Sequence, residues 1–85
     1  MDEKEIGRIA HYYNKIGVAV IEITDGTLNA GDTIHIKGHT TDLTQEVESL
    51  QVEHEQIQTI TVGDAAGIRV KDHVREHDIV YKVEE

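Results

Sequence analysis

The sequence predicts an all-β domain of six short strands, and three observations carry that prediction. Apolar residues recur at every second position: in Thr33–Lys37, Ile34 and Ile36 share one face while Thr33, His35 and Lys37 share the other. The apolar runs are β-branched, as in Ile16–Ile23. Glycine punctuates them, with turn signals at Asp25-Gly26, Ala30-Gly31-Asp32 and Gly63-Asp64, and the chain has no proline. No segment sustains a helical period. Short strands with glycine turns fit a closed six-stranded Greek-key β-barrel, and closure would remove the edges that endanger a small β protein.

In chain order, Met1–Glu5 is polar and expected to fray, so residues 1–85 read as one domain with an ordered core of about 6–83. Ile6–Tyr13 is a first strand, and Asn14-Lys15 a turn. Ile16–Ile23 is apolar at nearly every position, the pattern of a strand covered on both faces or curving strongly, with Gly17 permitting a bend. Thr33–Lys37 ends at Gly38, and His39–Leu43 reads as a polar loop. Thr44–His54 is a long strand whose phase slips, because Val47 and Ser49 share one face and Leu50 and Val52 the other; such a slip marks a bulge. Glu55–Thr61 alternates weakly. Ala65–Val70 is a short strand, Lys71–His77 a charged connection, and Asp78–Val83 the last strand, with Ile79, Tyr81 and Val83 on one face.

Composition excludes several classes. There is no cysteine, hence no disulfide, thiolate chemistry or cysteine zinc site. The N-terminus MDEKEIG has no apolar leader, and no run approaches the roughly 20 residues that span a bilayer. A cytoplasmic protein without membrane contact is the expectation. The net charge of −9 disfavours sequence-independent binding of RNA and makes a protein the favoured partner.

The order of the turn motifs resembles a known pattern. Ile6-Gly7-Arg8-Ile9 opens it, Leu28 and Ala30-Gly31-Asp32-Thr33-Ile34 follow, then Val47-Glu48-Ser49-Leu50, Gly63-Asp64 and Asp78-Ile79-Val80. This is similar to domain II of the translational GTPases elongation factor Tu and initiation factor two, and to free-standing translation elongation factor-like proteins made of that barrel alone. The resemblance implies a non-enzymatic binding module contacting a protein or RNA in or near the translation machinery, including the ribosome. The C-terminal barrel of collagenase-like peptidases is a weaker likeness. It implies an accessory barrel working in trans with an enzyme. The chain departs from the GTPase pattern in a longer first hairpin, His11–Gly17, and in His77, where that pattern usually carries glycine. It has no phosphate-binding loop.

Two clusters are the candidate partner-binding sites. One is the hairpin carrying Tyr12, Tyr13, Asn14 and Lys15; the other is the basic stretch with Lys71, His73 and Arg75. Aromatic faces beside cations can hold single-stranded RNA ends. The alternative is that the tyrosines cap the core and the charged loop stays solvated. Catalysis has no nucleophile constellation, since Ser49 is the sole serine and the carboxylates are scattered. The pairs His35/His39 and His73/His77 suggest a histidine-based metal-binding protein. Four residues along a strand, however, separate side chains by roughly 13 Å, so exposed histidines, no metal and no cofactor are expected.

Overall fold

A computed structural model describes residues Asp2–Glu84. Ten strands appear: β1 (Asp2–Tyr13), β2 (Val18–Ile23), β3 (Thr27–Asn29), β4 (Thr33–Lys37), β5 (Asp42–Glu46), β6 (Leu50–Val52), β7 (Glu55–Ile57), β8 (Thr59–Thr61), β9 (Ala65–Arg69) and β10 (Ile79–Glu84). The all-β class is as the sequence predicts, and no helix long and apolar enough to cross a membrane occurs among the described residues.

The closed six-stranded Greek-key barrel is corrected. Eight strands form one antiparallel sheet in the order β5-β4-β10-β1-β2-β9-β6-β7, and β3 and β8 form a separate ribbon. The long ladder ends at β5 and β7, with no pairing between those ends among the described residues. The ribbon's ladder is extended by the Ala30 amide, which donates to the Gln58 carbonyl at 2.9 Å. The turn after β8 is tied to β2, where the Gly63 amide donates to the Ile23 carbonyl at 3.1 Å and the Ile23 amide to the Asp64 carbonyl at 3.0 Å. Val47 donates to the Asp32 carbonyl at 2.8 Å and accepts from the Gly31 amide at 2.7 Å.

The core is aliphatic. Ile6, Ile9, Ala19, Ile21, Ile23, Leu28, Ile34, Ile36, Leu50, Ile60 and Val80 are buried with Val47 and Val74 from the connections. In β4 the alternation holds as the sequence predicts, with Ile34 and Ile36 inside. In β10 the shared face of Ile79, Tyr81 and Val83 is the partly covered outer one, and Val80 points into the core. Gly7 and Gly38 sit where a side chain has no room. A Cβ on Gly7 would strike the Glu22 backbone carbonyl beside a register shift in β1, and one on Gly38 would strike the buried Asp78 carboxylate.

Several boundaries differ for identifiable reasons. Asp2–Glu5, expected to fray, pair with Tyr81–Glu84 of β10, because an antiparallel partner can hold a polar strand end; Met1 lies outside the described residues. Ile16 and Gly17 belong to the turn, not to a strand. Gly17 has φ 67°, and its amide donates to the Tyr13 carbonyl at 2.9 Å. β2 is not covered on both faces, since it alternates buried Ala19, Ile21 and Ile23 with half-buried neighbours. The polar loop ends at Thr41, because Asp42 and Leu43 pair with Lys37 and Ile36. Thr44–His54 is not one bulged strand. The chain leaves β5 at Glu46, passes through Val47–Ser49 and re-enters the sheet as β6 near its far end. The true bulges lie in β1, at Glu5/Gly7 and Ile9/His11.

One turn design occurs three times. In Asn29–Asp32, Thr61–Asp64 and Arg75–Asp78 the Asp carboxylate accepts the amide three residues earlier, at 2.8, 3.0 and 2.8 Å. In each, the residue before Asp is left-handed: Gly31 (φ 97°), Gly63 (φ 93°) and His77 (φ 75°). The His77 turn therefore keeps the glycine geometry without glycine.

Candidate functional site

The two clusters meet at one end of the molecule. β2 follows the first turn and pairs with β9, placing Val18 opposite Arg69. The Val70 amide then donates to the Gly17 carbonyl at 3.0 Å, which sets Lys71 beside the turn holding Asn14 and Lys15. The Tyr12 ring packs on the core and meets the His73 ring edge-on, with centroids 4.9 Å apart. Tyr13 lies against His11 at 4.3 Å and is half exposed. The alternatives for the tyrosines therefore divide between them, Tyr12 toward the core and Tyr13 toward solvent.

The Arg75 side chain lines a groove of about 390 Å³ with Thr40, Thr41, Asp42, Leu43, Asp72 and His73. Its backbone is fixed by the bond from the Arg75 amide to Asp78. Asn14, Lys15, Lys71, His73 and Arg75 are exposed. His11 Nδ1 and Glu76 Oε2, 3.1 Å apart, clip β1 to the connection before β10.

Sequence reasoning missed two residues here. Gln45 is buried on β5; its Nε2 donates to the Arg69 carbonyl at 2.7 Å, and its Oε1 accepts the Lys71 amide at 2.9 Å. It bridges β5 to the end of β9 with a side chain where no backbone ladder exists. Arg69 lines a second groove with Glu48, Ser49 and Lys71. The available signal was Gln45 on the same face as Leu43, because an inward amide demands partners.

No group of three His, Cys, Asp or Glu residues suited to an ion occurs among the described residues. His35, expected to be exposed, is instead largely covered. Its Nδ1 lies 2.9 Å from Glu3, and its Nε2 lies against Asp42. The two carboxylates sit on opposite edges of the imidazole, so they favour a protonated ring and not a shared cation. The hydrogen bond to Glu3, then that to Asp42, raises the His35 pKa above its ordinary value, outweighing burial.

Comparison with known proteins corrects the lineage. No family model matches the chain. It is 40% identical over 82 residues to a protein of Methanocaldococcus jannaschii described as an uncharacterized protease, spanning 95% of this chain and 20% of that protein. It is 37% identical over 78 residues to a collagenase of Porphyromonas gingivalis, spanning 91% of this chain and 22% of that protein. The chain thus spans about a fifth of the length of the curated relatives it matches. In fold it is similar to the C-terminal domain of a Geobacillus thermoleovorans protein described as a U32 peptidase, with TM-score 0.87, 17% identity and coverage of 95% of this chain and 93% of that one. The selenomethionine variant of that domain gives TM-score 0.83.

These likenesses overturn the translation-factor domain II assignment and the role near the translation machinery that it implied. The physical reason is that Ala30-Gly31-Asp32 and Gly63-Asp64 are turn chemistry. They report a local backbone geometry that different β scaffolds share.

Proposed function

We propose that the chain is a non-enzymatic accessory module that works in trans with a peptidase-like enzyme, presenting a docking surface and performing no hydrolysis itself. The observation that carries this is the 40% identity across 95% of the chain, against only 20% of a protease's length. A segment of that proportion corresponds to a part of the larger protein and leaves most of it to carry the reaction. The side chains support the same reading. Ser49 makes no hydrogen bond to a histidine among the described residues, and the grooves carry no nucleophile–base pair. The half-exposed Tyr13 suits recognition.

The test has two arms. The purified chain is expected to leave gelatin and casein intact; measured cleavage overturns the non-enzymatic reading. Affinity capture from a native lysate is expected to recover one peptidase-type enzyme in near-stoichiometric amount, whereas recovery of nothing, or only of ribosomes or tRNA, overturns the accessory role.

A further inference from the structure

The eight-strand ladder stops at β7, and no backbone bond outside the β6 pairing reaches Glu55–Ile57 among the described residues. Left-handed Glu53 (φ 51°) and His54 (φ 68°) form the two-residue loop that sets Val52 opposite Glu55, Gln51 opposite Gln56 and Leu50 opposite Ile57. In a loop of that length the flanking pair is hydrogen-bonded. Alternation then turns the backbone amide and carbonyl of Gln56 outward, with no strand to receive them. Glu55 and Ile57, two residues apart, share one face of β7. That face borders a groove of about 360 Å³ between the β6–β7 hairpin and the turn before β9. Its apolar lining is Val52, Ile57 and Ile60, all packed in or against the core. Its charged lining is Glu53, Glu55 and Asp64, without a Lys or Arg. Glu53 and Glu55 make no ion pair among the described residues. On the adjoining β2, Glu22 stands opposite Ala65 and holds Arg8 at 3.1 Å. No Lys or Arg occurs in the sequence between Lys37 and Arg69.

We propose that this edge and groove bind an extended segment of a partner polypeptide, added antiparallel to β7, with a basic and an apolar residue two positions apart. Such a site goes beyond the accessory role and does not require the partner to be an enzyme. The free backbone groups select an extended chain. The middle residue of that segment exchanges both backbone bonds with Gln56. Its two neighbours then stand opposite Glu55 and Ile57 on the groove face. The one opposite Glu55 meets carboxylates and favours Lys or Arg. The one opposite Ile57 meets the aliphatic floor and favours Val, Ile or Leu. The same acidic rim rejects other occupants. Two copies of the chain would set two such rims together, and charge along an edge keeps copies from pairing. Nucleic acid would bring phosphates to a groove without a cation.

Fluorescence anisotropy in low salt tests this with labelled peptides. Repeats of Val-Thr-Lys-Thr put Val and Lys on one face of a strand and are expected to bind. Repeats of Val-Lys-Thr-Thr have the same composition with Val and Lys on opposite faces, and should bind at least about threefold more weakly. The Val-Thr-Glu-Thr counterpart should bind about tenfold more weakly. The first peptide, N-methylated at every Thr, cannot donate to the Gln56 carbonyl and should also lose about tenfold. The double variant Glu53→Asn/Glu55→Gln should weaken the first peptide by about tenfold without a lower melting temperature, since Asn tolerates the left-handed position. Glu46→Gln, on the opposite ladder end β5, should leave binding intact. No binding of the Val-Thr-Lys-Thr peptide, equal binding of the reordered, glutamate or N-methylated peptide, or indifference to Glu53→Asn/Glu55→Gln would each overturn the assignment. No enzyme is present in these titrations, so their result stands apart from the capture experiment.

Discussion

At the residue scale, His35 makes the most specific physical commitment. It joins three strands, since Glu3 comes from β1, His35 from β4 and Asp42 from β5. Two carboxylates flank one imidazole, so the folded state binds a proton there more tightly than the unfolded chain does. A raised folded pKa contributes stability that is fully present below about 6.5, the unfolded value, and is lost as pH rises through the folded pKa. The wild-type advantage over His35→Gln should therefore be larger near pH 5.5 than near pH 8.5. Because Asp42 and Glu3 are partly exposed, screening limits the gap to about 2–4 °C in Tm. Thermal melts of both proteins across that range measure it. The comparison cancels the general relief of negative charge in acid, which both proteins share. A pH-independent gap would mean that the carboxylates contribute only ordinary hydrogen bonds.

At the scale of elements, the three Asp-ended turns explain both what was legible in the sequence and what was not. Gly31-Asp32 and Gly63-Asp64 announce their turns because glycine accepts the left-handed geometry. Arg75–Asp78 hides the same turn because His77 occupies that position. His77 is exposed and has no side-chain partner among the described residues, so His77→Gly removes left-handed strain of roughly 1–2 kcal/mol against a backbone-entropy cost of roughly 0.5–1 kcal/mol. We expect a net gain of about 0.5–1 kcal/mol in chemical denaturation, while His77→Ala, which keeps the Cβ, should gain nothing. β4 was equally readable, since half its residues must face a core. The break between β5 and β6 was not, because Thr44–His54 keeps strand composition while its neighbour changes from β4 to β9. β3, β7 and β8 span three residues each, too few for a period to show. At the site, both clusters stood out by composition. Their meeting depends on the β2–β9 pairing, which no local pattern encodes, and Gln45 looked like one more polar strand residue.

At the scale of the whole molecule, net charge decides how the protein behaves toward copies of itself. At neutral pH the net −9 keeps copies apart. If all six histidines protonate, the net charge falls from −9 to −3. Self-repulsion then weakens, so acid should favour association. Light scattering in low salt should show the second virial coefficient falling between pH 7.5 and pH 5.5. The fall should be smaller at about 0.15 M salt, where the screening length is about 8 Å and repulsion is already reduced at neutral pH. Scattering that does not depend on pH would mean that net charge does not govern how copies meet.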